Sequence, residues 1–340
     1  MKELLRDLCL LDGVPGYEDE VANYIAEKAK PYADELIRDE LGNVIVFKKG
    51  EKRRPAPALL CAHMDEVGFL VCDFTADGML MIDSAGGIDP RVLIGRRMKV
   101  GPNKIRGIIS LKAIHLTTPE ERKAAPPLER LYIDIGALSK EEAQGLVQVG
   151  DPVTFESDFI EFGDQCVKAK AIDDRLGCAV LLTLLSEPLP YDTWFVFSTN
   201  EEVNGFGARV AANRIRPAYC VTVEGTTAAD MPDVPKHLRS TAQRAGAAVS
   251  IMDKGTIYDI ALRDKMTAAA TREGIRWQYR ASLNGATDAS KLHLAGEGCR
   301  AFGIANPTRY IHCACNVAYL PDCEEVLKLA RLFIKETGEN

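Results

Sequence analysis

Six consecutive apolar residues, Pro57–Ala62, run straight into the polar cluster His63-Met64-Asp65-Glu66. The run is too short to cross a bilayer and shows no polar alternation. It reads as a strand buried on both faces, the kind found in sheets covered by helices. The flanking chain agrees with this. Helical periodicity covers residues 1–11 and 18–31, joined by the turn Gly13-Val14-Pro15-Gly16. Strand-like stretches flank Leu41-Gly42-Asn43 and end in the charged turn Lys48–Arg54.

The texture changes between Val67 and Phe162. Short strand-like runs are cut by Gly, Asp and Pro, with one brief helix at Ser139–Gly145, the signature of a small β unit. Helix and strand then alternate again: helix at Asp174–Ser186, strand at Asp192–Thr199, helix at Gly205–Arg214 and strand at Ala218–Glu224. A helix near Ile257–Glu273, a strand near Trp277 and a last helix at Glu324–Thr337 complete the pattern. Such alternation predicts a largely parallel sheet covered by helices. The expected organisation is an α/β domain of residues 1–66 and 163–340, interrupted by a β-rich domain of residues 67–162 that bears on site access and oligomerisation. A chain of 340 residues also exceeds the size at which single cores stop growing.

Composition narrows the class of function. A net charge of −7 argues against a nucleic-acid partner, because phosphate binding requires a basic face. No apolar run reaches bilayer length, and Met1–Asp12 reads as an amphipathic helix, not a signal peptide. These readings predict a cytoplasmic protein with no membrane partner. The ten cysteines sit mostly in apolar stretches, as Cys61 and Cys178 do, and read as buried reduced thiols. The pair Cys313-Ala314-Cys315 has no second pair at zinc-finger spacing.

Four polar clusters fall at the ends of apolar strands or loops: His63-Met64-Asp65-Glu66, Asp173-Asp174-Arg175, Asn200-Glu201-Glu202-Val203 and Arg309-Tyr310-Ile311-His312. Glu224 closes a further strand. Each has a bland explanation alone: a core histidine, a helix cap, a solvated acidic turn. Together they supply what a two-metal hydrolase needs, namely a bridging carboxylate, further N and O ligands, and a free carboxylate to move a proton. Within His63-Met64-Asp65 the aspartate is placed to fix an imidazole tautomer. Imidazole and carboxylate ligands without thiolate select zinc or cobalt, with manganese a third fit.

In these blocks the sequence resembles the dinuclear metallo-aminopeptidases of the tetrahedral, TET-type or glutamyl-aminopeptidase-like family, some of whose members are labelled cellulase or endoglucanase. The resemblance spans nearly the whole chain. It rests on Gly13-Val14-Pro15-Gly16-Tyr17-Glu18, Ala62–Phe69, Asp134-Ile135-Gly136-Ala137, Val149–Val153, Ala171–Arg175, Glu201-Glu202-Val203, Thr287-Asp288-Ala289 and Pro307–His312. It implies a phosphorylase/hydrolase-like three-layer catalytic domain with an inserted small β domain, and assembly into a dimer or dodecamer. Its substrates would be short peptides with a free N-terminus. It further implies one divalent ion on His63 and Glu224, another on Glu202 and His312, and Asp173 bridging both. Glu201 would be the general base and later the acid toward the leaving amine, Asp65 would support His63, and the Asp173–Asp174 bond would be cis.

Two departures stand out. The family usually has Asp where this chain has Glu224, and an arginine with Gly-Ala after its Glu-Glu-Val-Gly, where this chain reads Val203-Asn204-Gly205-Phe206-Gly207-Ala208. Three other readings use the same residues. A co-catalytic deacylase or carboxypeptidase would share the core and ligands. Glycoside hydrolysis needs two carboxylates and leaves both histidines unexplained. A degenerate scaffold would have lost ligands, and here the set is intact apart from the Asp-to-Glu change. The preferred first residue is not legible in the sequence.

Overall fold

In the computed structural model, which describes residues 1–339, the chain opens with helices α1 (Lys2–Leu10) and α2 (Asp19–Ala29). It then pairs β1 (Glu35–Arg38) with β2 (Val44–Lys48) and enters β3 (Ala58–His63), the apolar run, buried at every position. Next come β4 (Gly68–Phe74), β5 (Leu80–Ala85), β6 (Arg97–Val100), β7 (Ile105–Ser110), β8 (Tyr132–Asp134), α3 (Lys140–Leu146) and β9 (Pro152–Phe155). These six strands close a barrel in the order β4-β5-β8-β7-β6-β9. Its core includes Phe69, Met98, Ile133 and Phe155, inward residues of the alternating pattern.

The remaining elements are β10 (Ile160–Phe162), β11 (Cys166–Ala169), α4 (Ile172–Leu185), β12 (Thr193–Ser198), α5 (Phe206–Ile215), β13 (Tyr219–Thr227) and β14 (Ala247–Ser250). They continue with α6 (Ile260–Arg272), β15 (Trp277–Arg280), α7 (Ala289–Leu292), β16 (Arg300–Arg309), β17 (Asn316–Tyr319) and α8 (Leu320–Glu336). An 11-stranded sheet runs β1-β2-β12-β3-β13-β16-β17-β11-β10, with β14 and β15 branching from β16. Strand β3 lies between β12 and β13 and is parallel to both.

Its residues alternate between two cores. Leu60 and Ala62 join Leu5, Ile25, Leu181 and Phe333 from α1, α2, α4 and α8; Leu59 and Cys61 join Ala208, Ala211 and Leu292 from α5 and α7. Helix α4 is buried on nearly all sides and lies close against β13 at Gly177. A Cβ there would stand 2.3 Å from the Val223 carbonyl oxygen, so any side chain would push helix from sheet. Among the described residues no helix is long and apolar enough to cross a membrane.

Two features differ from the sequence expectation. Strand β10, the last of the strand run ending at Phe162, pairs with β11 in the large sheet and not in the barrel. Strand β16, a long central strand, has no strand signature in the sequence because Gly303 and Pro307, both usual strand breakers, interrupt its apolar run. Gly303 is there because Tyr258 covers it: a Cβ would lie 2.6 Å from Tyr258 Cε1.

A buried ionic cluster fixes where the barrel leaves the sheet. The Lys170 ammonium binds Glu66, the Leu11 carbonyl oxygen at 2.7 Å and Asp12 at 3.2 Å. Glu66 also accepts from the Gly13 amide at 3.1 Å and sits 3.5 Å from Arg175 Nη2. Removing one partner would leave buried charges uncompensated. Glu66→Ala should therefore destabilise the fold by about 3–5 kcal/mol in equilibrium urea unfolding, and a loss below about 1 kcal/mol would show the cluster to be incidental.

Candidate metal centre

The four polar clusters converge at the carboxyl ends of the parallel strands, where open α/β sheets place ligands. His63 ends β3, Asp173 opens α4, Glu201 and Glu202 follow β12, Glu224 lies in β13, and His312 follows β16. Three of these approaches pass through left-handed backbone: Ala171 (φ 54°), Asn200 (φ 58°) and His312 itself (φ 59°). Non-glycine residues held this way cost roughly 1–3 kcal/mol each and collect at functional sites. The Asp173–Asp174 peptide bond is cis.

The donor atoms form two groups sharing one residue. His63 Nε2 lies 3.6 Å from Asp173 Oδ1, 3.6 Å from Glu224 Oε2 and 3.9 Å from Glu201 Oε2. His312 Nε2 lies 3.6 Å from Asp173 Oδ2 and 3.6 Å from Glu202 Oε1. Asp173 thus offers a different oxygen to each histidine. Ligands about 2.1 Å from a tetrahedral ion stand about 3.4 Å apart, so this spacing suits a metal better than direct hydrogen bonding. Glu224 Oε1 is buried without a hydrogen-bond partner, the state of an acceptor awaiting a cation.

Surrounding groups aim these ligands. His312 Nδ1 contacts the Gly87 carbonyl oxygen at 2.7 Å, which turns Nε2 toward the centre. Gly87 follows β5, so the loop beyond a barrel strand orients a residue of the sheet domain. His63 Nδ1 contacts the Asp65 backbone carbonyl oxygen at 3.1 Å, while the Asp65 carboxylate is farther, at 3.6 Å. That carboxylate accepts instead from the Glu201 amide at 3.1 Å and the Glu202 amide at 3.0 Å. Asp65 therefore orients both glutamates through their backbone and reaches His63 mainly through its own carbonyl. Asp174 accepts from the His63 amide at 3.2 Å and the Gly177 amide at 3.0 Å. Gly225 donates to Asp173 at 3.2 Å, and a Cβ on it would lie 2.6 Å from that oxygen.

Several supporting residues carry no legible role in the sequence. Glu18, buried near the start, accepts from the Asn200 amide at 3.1 Å and so holds the turn before Glu201. Asp288 binds Ser198 and Cys61 beneath the centre. Both lie in blocks that carry the family resemblance, but a carboxylate 182 residues away gives no local sign of its partner.

Charge at the centre is one-sided. Burial pulls the His63 imidazole down, but the carboxylates of Asp173, Asp65 and Glu201 more than offset it and hold it well above the usual histidine range. Burial and then neighbouring acids push Glu201 and Glu224 well above the carboxylate range, against the pull of His63. The same causes raise Glu202 to about 7 and Glu18 to about 7. Such crowding of acids is relieved by bound cations, and three ligand groups can hold one: His63, Asp173 and Glu224; His63, Glu201 and Glu202; Asp173, Glu202 and His312.

Comparison with known proteins decides the family. Residues 42–329 match the model of the M42 glutamyl aminopeptidases. The chain belongs to that family. As an M42 aminopeptidase it is a metal-dependent enzyme that removes residues from the amino ends of peptides. It is 32% identical to the TET aminopeptidase of a marine-sediment archaeon of the Thaumarchaeota, with a TM-score of 0.94, covering 99% of this chain and 98% of that one. The Pyrococcus horikoshii TET1 peptidase, which can assemble into a tetrahedron or a large octahedral shell, is 30% identical with a TM-score of 0.85 over 97% and 98% of the chains. A lysyl aminopeptidase of Pyrococcus furiosus is 27% identical over 98% of this chain and 96% of its own length.

If this cluster is the metal centre of the M42 enzyme, zinc or cobalt added to chelated protein should raise the thermal unfolding midpoint. The stabilisation is about 2.7 kcal/mol at a hundredfold excess over Kd. Asp173→Asn should lose most of that shift. An unchanged midpoint in the parent protein would place the metal elsewhere.

Proposed function

We propose that this M42 aminopeptidase uses two divalent ions, zinc or cobalt with manganese a third fit, and Glu201 as general base. The observation that carries the proposal is Asp173, which gives one oxygen to each of two histidine-centred ligand groups. His63 and Glu224 would hold one ion, Glu202 and His312 the other, with Asp173 between them. Glutamate at position 224 places its Oε2 at the same 3.6 Å from His63 as Asp173 does, so the longer side chain still reaches. The bound ions supply Lewis acidity toward water and the scissile carbonyl.

The chain's own groups perform the rest. Glu201 Oε2, near the ligands but not needed to complete either set, takes the proton of the attacking water and returns it to the leaving nitrogen. Asp65 fixes Glu201 and Glu202 in adjacent but divergent positions, so one serves as base while the other binds. A cavity of about 830 Å³ beside the centre, lined by Asp173, Glu201, Glu202 and Glu224, attracts the α-ammonium of a peptide, which an acetylated end lacks.

Self-association, as a dimer or dodecamer, is the companion proposal. The barrel and its loops expose Ile108, Ile114, Leu116 and Leu138, apolar side chains that a subunit contact would cover. Cytoplasmic location fits ten cysteines that are all free.

The direct test compares free-amine and acetylated chromogenic substrates on chelated protein before and after adding zinc or cobalt. Metal-dependent cleavage of the free-amine set alone is the expected result. Equal cleavage of the blocked substrate would favour a deacylase. Glu201→Gln should lower kcat by about 10²–10⁴ while two equivalents of metal, counted by elemental analysis, remain bound. Light scattering should find a dimer or larger, and a monomer at micromolar concentration would remove the assembly proposal.

A further inference from the structure

Two of the free cysteines meet at the end of the sheet away from the ligands. Cys220 lies near the start of β13 and is wholly buried, while Cys299, just ahead of β16, is partly buried. The two strands are parallel and pair Cys220 with Ala301. Cys299 precedes Ala301 by two residues, which puts its side chain on the same face as that of Cys220. There it packs against the core under α5 and α7, with its sulfur 3.3 Å from Cys220 Sγ and 3.3 Å from the Leu292 carbonyl oxygen. Among the described residues no other two sulfurs make such a contact. In Cys313-Ala314-Cys315 the sulfurs face separate partners, the Tyr310 carbonyl oxygen and the Arg96 guanidinium.

The two thiols differ in access. The exposed turn Gly296-Glu297-Gly298 leads into Cys299, which keeps part of its surface in solvent, whereas Cys220 has none. A small oxidant therefore reaches Cys299 first, and the buried thiol behind it stands where a resolving thiol must stand. As a thiolate Cys299 accepts from Cys220, which holds it below the usual thiol range. The sulfurs need to close by only about 1.3 Å to reach disulfide bonding distance.

We propose that Cys220 and Cys299 form a reversible disulfide on reaction with hydrogen peroxide, a modification that ties β13 to the start of β16 and braces the chain between them. The Cys299 sulfur attacks one peroxide oxygen. An S–O bond forms, the O–O bond breaks, and the departing hydroxide takes the thiol proton as water. The Cys220 sulfur then attacks the sulfenic sulfur of Cys299. The S–S bond forms, the S–O bond breaks, and the hydroxyl leaves as water with the Cys220 proton. Two thiols are oxidised and one peroxide is reduced to two waters, and a dithiol reverses the bond by exchange. The cysteines are 79 residues apart, and the span between them holds β14, α6, β15 and α7. Closing so long a loop restricts the unfolded chain. Neither thiol is among the metal-ligand candidates, so the bond forms whatever reaction the centre performs.

The experiment treats the full chain with hydrogen peroxide and maps its cysteines by mass spectrometry of a non-reducing tryptic digest. A linked pair of peptides carrying Cys220 and Cys299 is expected, separated by dithiothreitol and absent from Cys299→Ser. Peroxide should also raise the thermal unfolding midpoint of the parent by about 3 °C or more. Cys299→Ser treated in the same way should show no rise, which separates this bond from oxidation elsewhere. Two unreacted thiols under excess peroxide would overturn the assignment. So would linkage mainly through other cysteines, or Cys299 recovered as sulfinic acid with Cys220 still free. A linked pair with an unchanged or lowered midpoint would overturn the bracing role.

Discussion

Seven carboxylates, those of Asp65, Asp173, Asp174, Glu201, Glu202, Glu224 and Asp288, meet two imidazoles at one end of a buried sheet. Coulomb repulsion among them in a poorly hydrated interior would oppose folding unless something answered it. Two answers are visible. Asp65 and Asp174 are satisfied by backbone amides, which neutralise part of the charge with fixed dipoles. Asp288 accepts from Ser198 and Cys61, and the remaining four converge with the imidazole nitrogens in groups that can hold a cation. The fold's stability and its chemistry therefore depend on the same counter-charge.

Supporting that cluster requires unusual backbone. Ala171, Asn200 and His312 take left-handed conformations at the entrances to the ligands, and the surroundings hold each one. Asn200 is anchored by Glu18, and His312 is oriented by Gly87. Close approach at Gly177 and Gly225 brings α4 against β13 and the β13 backbone within reach of Asp173. The candidate ligands are thus positioned by tight packing of main chain, which suits a site whose donor atoms must keep fixed separations.

The barrel and the large sheet share the site. Glu66, at the crossing from one to the other, is locked by Lys170 and Arg175, and the loop after β5 returns a carbonyl to His312. A rotation of the barrel would loosen the His312 imidazole, so the position of the barrel bears directly on the candidate centre.

The sequence by itself determined the alternation of helix and strand, the β-rich interruption and the ordered blocks carrying His63, Asp173, Glu201, Glu202, Glu224 and His312. Apolar period and motif spacing are local, and a single chain displays them. Only the tertiary structure decided that β16 is a central strand despite Gly303 and Pro307, because Tyr258 fills the space a side chain would need. It also decided that the Asp65 carboxylate serves the two glutamates more than His63, and that Glu18 and Gly87 hold Asn200 and His312 far along the chain. Each of those is a meeting of distant residues, set by packing and burial, and no local pattern encodes which partner a buried charge will find.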